Sequence, residues 1–133
     1  MINSEYNENS DILNIRFVIG GLDKQLTFYI YIDNKIMEIA RSEVSDPIKD
    51  ISWSSSLYKT DNIACCTEKE VLIFSKDGDS YKKISDIKIE KDKYPVSLSW
   101  SFCGNYLSVC YKDRSVKIYN STLNKEWEEA AVL

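Results

Sequence analysis

Asp50-Ile51-Ser52-Trp53-Ser54 and Ser97-Leu98-Ser99-Trp100-Ser101 carry one pattern twice, with the two tryptophans 47 residues apart. The echo continues on the C-terminal side. Trp53 is followed by a loop, the apolar-small run Ile63-Ala64-Cys65-Cys66, a polar turn and Val71-Leu72-Ile73-Phe74. Trp100 is followed by Tyr106-Leu107-Ser108-Val109-Cys110, the turn Lys112-Asp113-Arg114-Ser115, and Val116-Lys117-Ile118-Tyr119. A period near 45 residues with about four short strands in each period is how a β-propeller blade reads in sequence. One twisted sheet has two faces, and a lone blade cannot bury both, so units of this kind stack. Trp53 and Trp100 are expected on the first strands of successive blades with their rings between sheets, and Ile73 and Ile118 on later strands of the same cores. Losing such a tryptophan ring to alanine costs about 3–5 kcal/mol.

Composition agrees with an ordered, strand-rich chain. Of 133 residues, 44% are apolar and 12% aromatic, enough for one domain with a respectable core. Tyrosine and isoleucine are favoured over alanine and leucine, which points to an all-β class. The formal charge is −4, from 21 acidic and 17 basic residues that are evenly mixed, so no basic face offers itself to a phosphate backbone and direct nucleic-acid binding is not expected. The longest apolar run, Leu26 to Ile32, falls far short of the roughly 20 residues of a membrane-spanning helix. The opening residues lack the positive start and apolar middle of a secretory signal, so a cytosolic or nuclear chain is expected. Cys65, Cys66, Cys103 and Cys110 read as reduced residues, three of them inside strand patterns. With no histidine and no Cys-x-x-Cys pair, neither a metal site nor a cofactor site is nominated.

Along the chain, residues 1–11 are polar and read as a disordered or tethering N-terminus. Residues 12–45 read as the last three strands of a blade whose first strand is missing or unrecognisable. Asp46-Pro47 opens a second blade, 46–93, with strands near 48–54, 62–67, 70–75 and 81–89 and a strong turn signal at Lys76-Asp77-Gly78-Asp79-Ser80. Tyr94-Pro95 opens the third blade, 94–133, which closes on Trp127 to Leu133. Residues 12–133 thus form a partial propeller of about three four-stranded blades.

Four stretches resemble a particular WD-repeat family, the SEC13-like propeller subunit shared by the COPII vesicle outer coat and the Y-complex of the nuclear pore. Phe17-Val18-Ile19-Gly20-Gly21-Leu22-Asp23 resembles that family's strand and Gly-Gly-x-Asp turn. Asp46-Pro47-Ile48-Lys49-Asp50-Ile51-Ser52-Trp53-Ser54 is similar to its entry into the penultimate blade. Ser99-Trp100-Ser101-Phe102-Cys103-Gly104-Asn105-Tyr106-Leu107-Ser108-Val109 is similar to its Ser-Trp-Ser-x-x-Gly-Asn-x-Leu-Ala-Val run, and Val116 to Tyr119 through Trp127-Glu128 to its ending. The matches are collinear over about 120 residues, which a generic propeller would not share. The chain departs from the family in its worn WD dipeptides, which read Tyr31-Ile32, Phe74-Ser75 and Tyr119-Asn120. Asp23 and Asp113 keep the tight-turn aspartate of WD repeats, whereas the second blade has Glu68-Lys69-Glu70, a turn expected to be looser. It departs also in length, covering half of a six-bladed ring, which leaves open a reduced or split member, a fragment, or a chain always held by partners.

The resemblance implies a non-catalytic scaffold of a membrane-curving cage, in ER-to-Golgi vesicle transport, at the nuclear pore, or both. It implies a helical-solenoid protein partner that contributes strands to the open ring, with contact to membrane only through the coat. The expected receiving surface is the final blade, with Trp127, Glu128, Ala130, Val132 and Leu133 as its closing segment and Trp100, Leu107 and Val109 as its face. Self-association of the uncovered sheets is a further expectation. A generic WD adaptor in another complex is the alternative, and would work through its turns. No nucleophile, base or metal constellation supports an enzyme. We predict that Trp100→Ala abolishes soluble expression and that Lys91→Ala leaves it unchanged; equal tolerance of the two would contradict the blade register.

Overall fold

Among the described residues, each strand pairs with a neighbour in sequence inside its own group of four, so the backbone hydrogen bonds of each group close within one short meander. The computed structural model describes residues 2–6, 13–54, 61–122 and 126–133, with side chains described from 15 onward. The first sheet contains β1 (Ile2–Tyr6), β2 (Leu13–Gly20), β3 (Gln25–Ile32) and β4 (Lys35–Glu43). The middle sheet contains β5 (Asp50–Trp53), β6 (Asn62–Cys66), β7 (Val71–Asp77) and β8 (Ser80–Ile87). The last contains β9 (Pro95–Trp100), β10 (Tyr106–Tyr111), β11 (Val116–Ser121) and β12 (Trp127–Val132). The fold is an all-β partial propeller whose ring is open.

The repeat is built to the residue. In all three sheets a β-bulge interrupts pairing of the third and fourth strands, at Phe28/Tyr29, Ile73/Phe74 and Ile118/Tyr119, positions 45 residues apart each time. A bulge strengthens local twist, and its repetition gives successive sheets the same curvature. Turn chemistry follows the sequence signals. Asp33 and Asn34 both adopt positive φ, 49° and 60°, the conformation of a type I′ hairpin between β3 and β4. Gly78, with φ of 62°, turns β7 into β8. Gly20 makes a close approach instead, since a Cβ there would lie 2.6 Å from Ile48 Cδ1 at the entry to the middle sheet and would force that side chain to shift.

Two cores separate the three sheets. Val18, Leu26 and Phe28 of the first sheet meet Trp53, Ile63, Cys65, Leu72, Phe74 and Tyr81 of the middle one. On the other side of the middle sheet, Ala64, Cys66, Val71, Ile73 and Ile87 meet Leu98, Leu107, Val109, Tyr111 and Tyr119 of the last. The middle sheet is therefore covered on both faces, which is why β6 and β7 read as continuous apolar runs. Cys65 and Cys66 divide between the two cores, as neighbouring strand residues must. In β10, by contrast, Leu107, Val109 and Tyr111 are buried while Tyr106 is exposed and Ser108 and Cys110 are half-buried.

Residues 1–11 differ from expectation, because they include β1, which pairs antiparallel with β2 from Ile2 against Phe17 to Tyr6 against Leu13. The first blade thus has its fourth strand. Ile2-Asn3-Ser4-Glu5-Tyr6 has too few apolar residues to signal a strand by alternation; its pairing is a backbone interaction at the sheet edge. The covered and uncovered faces yield a direct prediction from two register-matched isoleucines. Ile73→Asp, placing a charge where the side chain is fully buried, should cost more than about 3 kcal/mol and prevent folding. Ile118→Asp should retain β-sheet circular dichroism; loss of folding in both variants would contradict the one-sided cover of the last sheet.

Candidate partner-binding surface

What a partner can reach is whatever the three sheets do not spend on one another, so the inter-sheet contacts come first. Between the first and middle sheets, Asp61 gathers polar groups from both. Trp53 Nε1 donates to its Oδ1 at 2.7 Å, the Tyr81 hydroxyl donates at 3.0 Å to Oδ2, and Arg16 Nη1 lies 3.9 Å from Oδ2. Phe28 stacks on Tyr81 at 4.9 Å between centroids, and Trp53 meets the same ring edge-on at 5.6 Å. Burial, the largest cause, pushes the Tyr81 phenol above its ordinary value, which keeps it a neutral donor. Sequence reading passed over Asp61 because it follows a loop; the only hint was a carboxylate placed just before an apolar strand.

Between the middle and last sheets the repeated motif itself makes the clamp. Asp50 Oδ2 accepts from Ser97 Oγ at 2.8 Å and from the Leu98 N–H at 2.7 Å, while Ser52 accepts from the Trp100 N–H at 3.2 Å through its hydroxyl and from Trp100 Nε1 at 3.0 Å through its carbonyl. Trp53 and Trp100 therefore occupy matching places, each with its ring in an inter-sheet core and its indole N–H satisfied. Tyr111 and Tyr119 share a hydrogen bond at 2.8 Å in the same core. Burial raises both Cys65 and Cys66 thiols to about 12, so neither is a reactive thiolate.

The aspartates expected to hold turns do so within their own turns. Asp23 Oδ1 accepts from the Gln25 N–H at 3.3 Å, and Asp113 Oδ1 from the Ser115 N–H at 3.1 Å and the Ser115 hydroxyl at 2.6 Å. Lys93 Nζ also binds Asp113 and thereby ties the last turn to the segment entering β9. In the middle blade, the turn expected to be looser is closed instead by Thr67, whose Oγ1 accepts from the N–H groups of Lys69 and Glu70 at 3.2 Å each.

Two expectations about the final blade change with the structure. Trp100, Leu107 and Val109 do not present a face to a partner; Leu107 and Val109 are completely buried against the middle sheet. Ile118, expected in the core, is half-buried on the opposite face, and its neighbour Lys117 points inward. Lys117 Nζ reaches Glu90 at 2.5 Å and Glu129 at 2.6 Å, and these two carboxylates raise its pKa. The alternation Val116-Lys117-Ile118 normally places lysine outward. Here the order is inverted because Val116 and Ile118 belong to the face on which a following blade would sit.

The closing segment is split in the same way. Trp127 packs edge-on against Trp100 at 5.5 Å and serves its own blade. Glu128, Ala130, Val132 and Leu133 are exposed. β12 lies at one edge of its sheet, in the order β12-β11-β10-β9. Leu133 exchanges both backbone hydrogen bonds with Val116, at 2.8 and 3.1 Å, so the adjacent Val132 turns its N–H to the open edge. Among the described residues no group of three or more Cys, Asp or Glu side chains is placed to hold a metal ion.

Known proteins resemble the chain in sequence or in fold. Over 127 residues the chain is 32% identical to the protein transport protein SEC13 of Yarrowia lipolytica, covering 90% of this chain and 42% of that protein. Its sequence resembles that of SEC13 proteins. The SEC13 proteins of Aspergillus clavatus and Kluyveromyces lactis are 30% and 28% identical, each over 86% of this chain and 40% of its relative. The chain thus spans about two fifths of the length of the curated relatives it matches. No protein-family model matches it. Among solved structures, a complex of the fission yeast SREBP-SCAP binding domains superposes with a TM-score of 0.73 at 18% identity, over 100% of this chain and 36% of that one. A putative 6-phosphogluconolactonase from Bacteroides fragilis gives 0.69 at 15% identity, over 98% and 38% of the two chains. At these identities the structures share the fold alone.

The Asp113 turn gives a pH prediction. Hydrogen bonds from Lys93, then from Ser115, hold its carboxyl well below the ordinary value of 3.8. A depressed folded pKa stabilises above the ordinary value and loses that contribution as pH falls through the folded one. We predict that the thermal midpoint drops as pH is lowered from about 5 toward 2, and that Asp113→Asn flattens part of that drop. A steeper acid dependence in the variant would contradict the assignment.

Proposed function

We propose that this chain is a non-catalytic scaffold subunit of a vesicle coat in ER-to-Golgi protein transport. The observation that supports the reading most is its similarity, along 86–90% of its length, to proteins named as SEC13 protein transport proteins. An open partial propeller suits the role physically. Its three sheets are held together by two cores of buried apolar side chains, and β12 offers a free strand edge for assembly. The partner in this proposal is a helical-solenoid coat subunit that adds a strand to the free edge of β12, beside Glu128, Ala130 and Val132. Strand addition draws its affinity from main-chain hydrogen bonds, which an edge strand supplies without any special side-chain chemistry. Membrane contact is indirect in this account, through the assembled coat.

Affinity purification of the tagged chain from its native cells tests the reading. Coat subunits should be recovered with it, and Val132→Pro should reduce their recovery roughly tenfold, the effect of losing about 1.4 kcal/mol of binding. Proline at that position removes an outward N–H and leaves the β11–β12 ladder intact, so the variant should stay folded. Recovery of no coat subunit, or undiminished recovery with Val132→Pro, would overturn the function or the docking edge respectively.

A further inference from the structure

We propose that a cavity between the middle and last sheets binds an uncharged carboxamide, the side chain of a glutamine or asparagine within a peptide. Strand register shows how the site arises. Trp53 pairs with Ile63 as Trp100 pairs with Leu107, and Lys76 pairs with Tyr81 as Ser121 pairs with Trp127. Asn105 therefore stands where Asp61 stands one blade earlier, two residues before the matched Leu107 and Ile63, and Trp127 stands where Tyr81 does. Arg16–Ile30 in the first sheet and Asn62–Ser75 in the middle one are likewise equivalent, each one step from the pair beside the bulge. The ring contact repeats too, with Trp53 5.6 Å from Tyr81 and Trp100 5.5 Å from Trp127.

The chemistry at these positions does not repeat. Between the first and middle sheets, Arg16 lies 3.9 Å from Asp61, Asp61 accepts from Trp53 and Tyr81, and Phe28 stacks on Tyr81, so the space is filled. Between the middle and last sheets the corresponding residues are Asn62, Asn105, Trp127 and Ile73. Asparagine is shorter than arginine and isoleucine narrower than phenylalanine, and the ion pair is gone. Trp100 Nε1 donates to the Ser52 carbonyl at 3.0 Å instead of to Asn105. A cavity of about 270 Å³ results, with Asn62, Ser75, Ile84, Asn105, Ser121 and Trp127 in its wall.

The wall defines the ligand. Among the described residues, the side chains of Asn62, Ser75 and Asn105 and the indole N–H of Trp127 form no hydrogen bond, whereas the indole N–H groups of Trp53 and Trp100 are both satisfied. No charged side chain lines the cavity, so an ionic ligand would give up its hydration without a counter-charge. A carboxamide brings one acceptor oxygen and two N–H donors, the complement of two asparagine amides, a serine hydroxyl and an indole N–H. The Trp127 ring and Ile84 supply an apolar wall for the methylenes that carry it. Free glutamine has an ammonium and a carboxylate beside its amide, which leaves a residue inside a peptide as the source. Both sheets that form the cavity are internal to the propeller contact, and the site is independent of the transport role.

The test follows the indole N–H signals of Trp53, Trp100 and Trp127 in the full chain by proton–nitrogen NMR. The probe is N-acetyl-glutamine N-methylamide, an uncharged glutamine residue. It should shift the Trp127 signal saturably and leave those of Trp53 and Trp100 in place, while N-acetyl-glutamate N-methylamide, free glutamine and glucose at the same concentration shift none. Asn62→Arg combined with Asn105→Asp places the ion pair of the first interface in the cavity and should weaken binding at least about tenfold. Should that double variant lose its β-sheet circular dichroism, Asn105→Ala in the exposed turn decides, with the same tenfold loss expected. Absence of a Trp127 shift with the capped glutamine, an equal shift with the capped glutamate, free glutamine or glucose, or undiminished binding in the deciding variant would overturn the proposal.

Discussion

The constraint on which the rest of this structure depends is that each sheet has two apolar faces and can satisfy them only against another sheet. The middle sheet meets that requirement fully, with Ile63, Phe74 and Tyr81 packed one way and Ala64, Val71 and Ile73 the other. The end sheets meet it on one side. Burial of apolar area supplies the main favourable free energy of folding, and among the described residues each end sheet buries one face against the middle sheet. Polar groups then decide how the sheets are aligned. Asp50 and Ser52 reach from the middle sheet to the last and satisfy donors there, while Asp61 satisfies Trp53 and Tyr81 of the middle sheet and lies within ion-pair distance of Arg16 in the first.

Much of the fold was legible because its signals are local and periodic. The Trp53 and Trp100 motifs gave the repeat, and continuous apolar runs at 63–66 and 71–74 marked strands buried on both faces. Gly78, within the turn Lys76 to Ser80, marked a hairpin through a backbone conformation that other residues rarely adopt. β1 escaped notice because an edge strand held by backbone bonds needs no apolar face.

The surface was less legible, for a related reason. Alternation shows that a strand has two faces but does not say which of them meets a neighbour. Leu107 and Val109 therefore looked available to a partner when they are interior, and Ile118 looked interior when it lies on the uncovered face. Lys117 held the clue. A lysine between Val116 and Ile118 finds burial acceptable only if carboxylates await it, and Glu90 and Glu129 come from strand and linker positions too distant in sequence to be paired by inspection. The Asp61 cluster escaped notice similarly, since its partners Arg16, Trp53 and Tyr81 come from three different strands.

The ordering of stability across the three sheets is the most direct consequence of unequal cover. Amide hydrogen exchange measured on dilute chain should find β6 and β7 the slowest to exchange, with β2, β3, β10 and β11 opening at lower free energy. Exchange that is fastest in the middle sheet, or uniform across all three, would contradict the central claim that the inner blade alone has both faces buried.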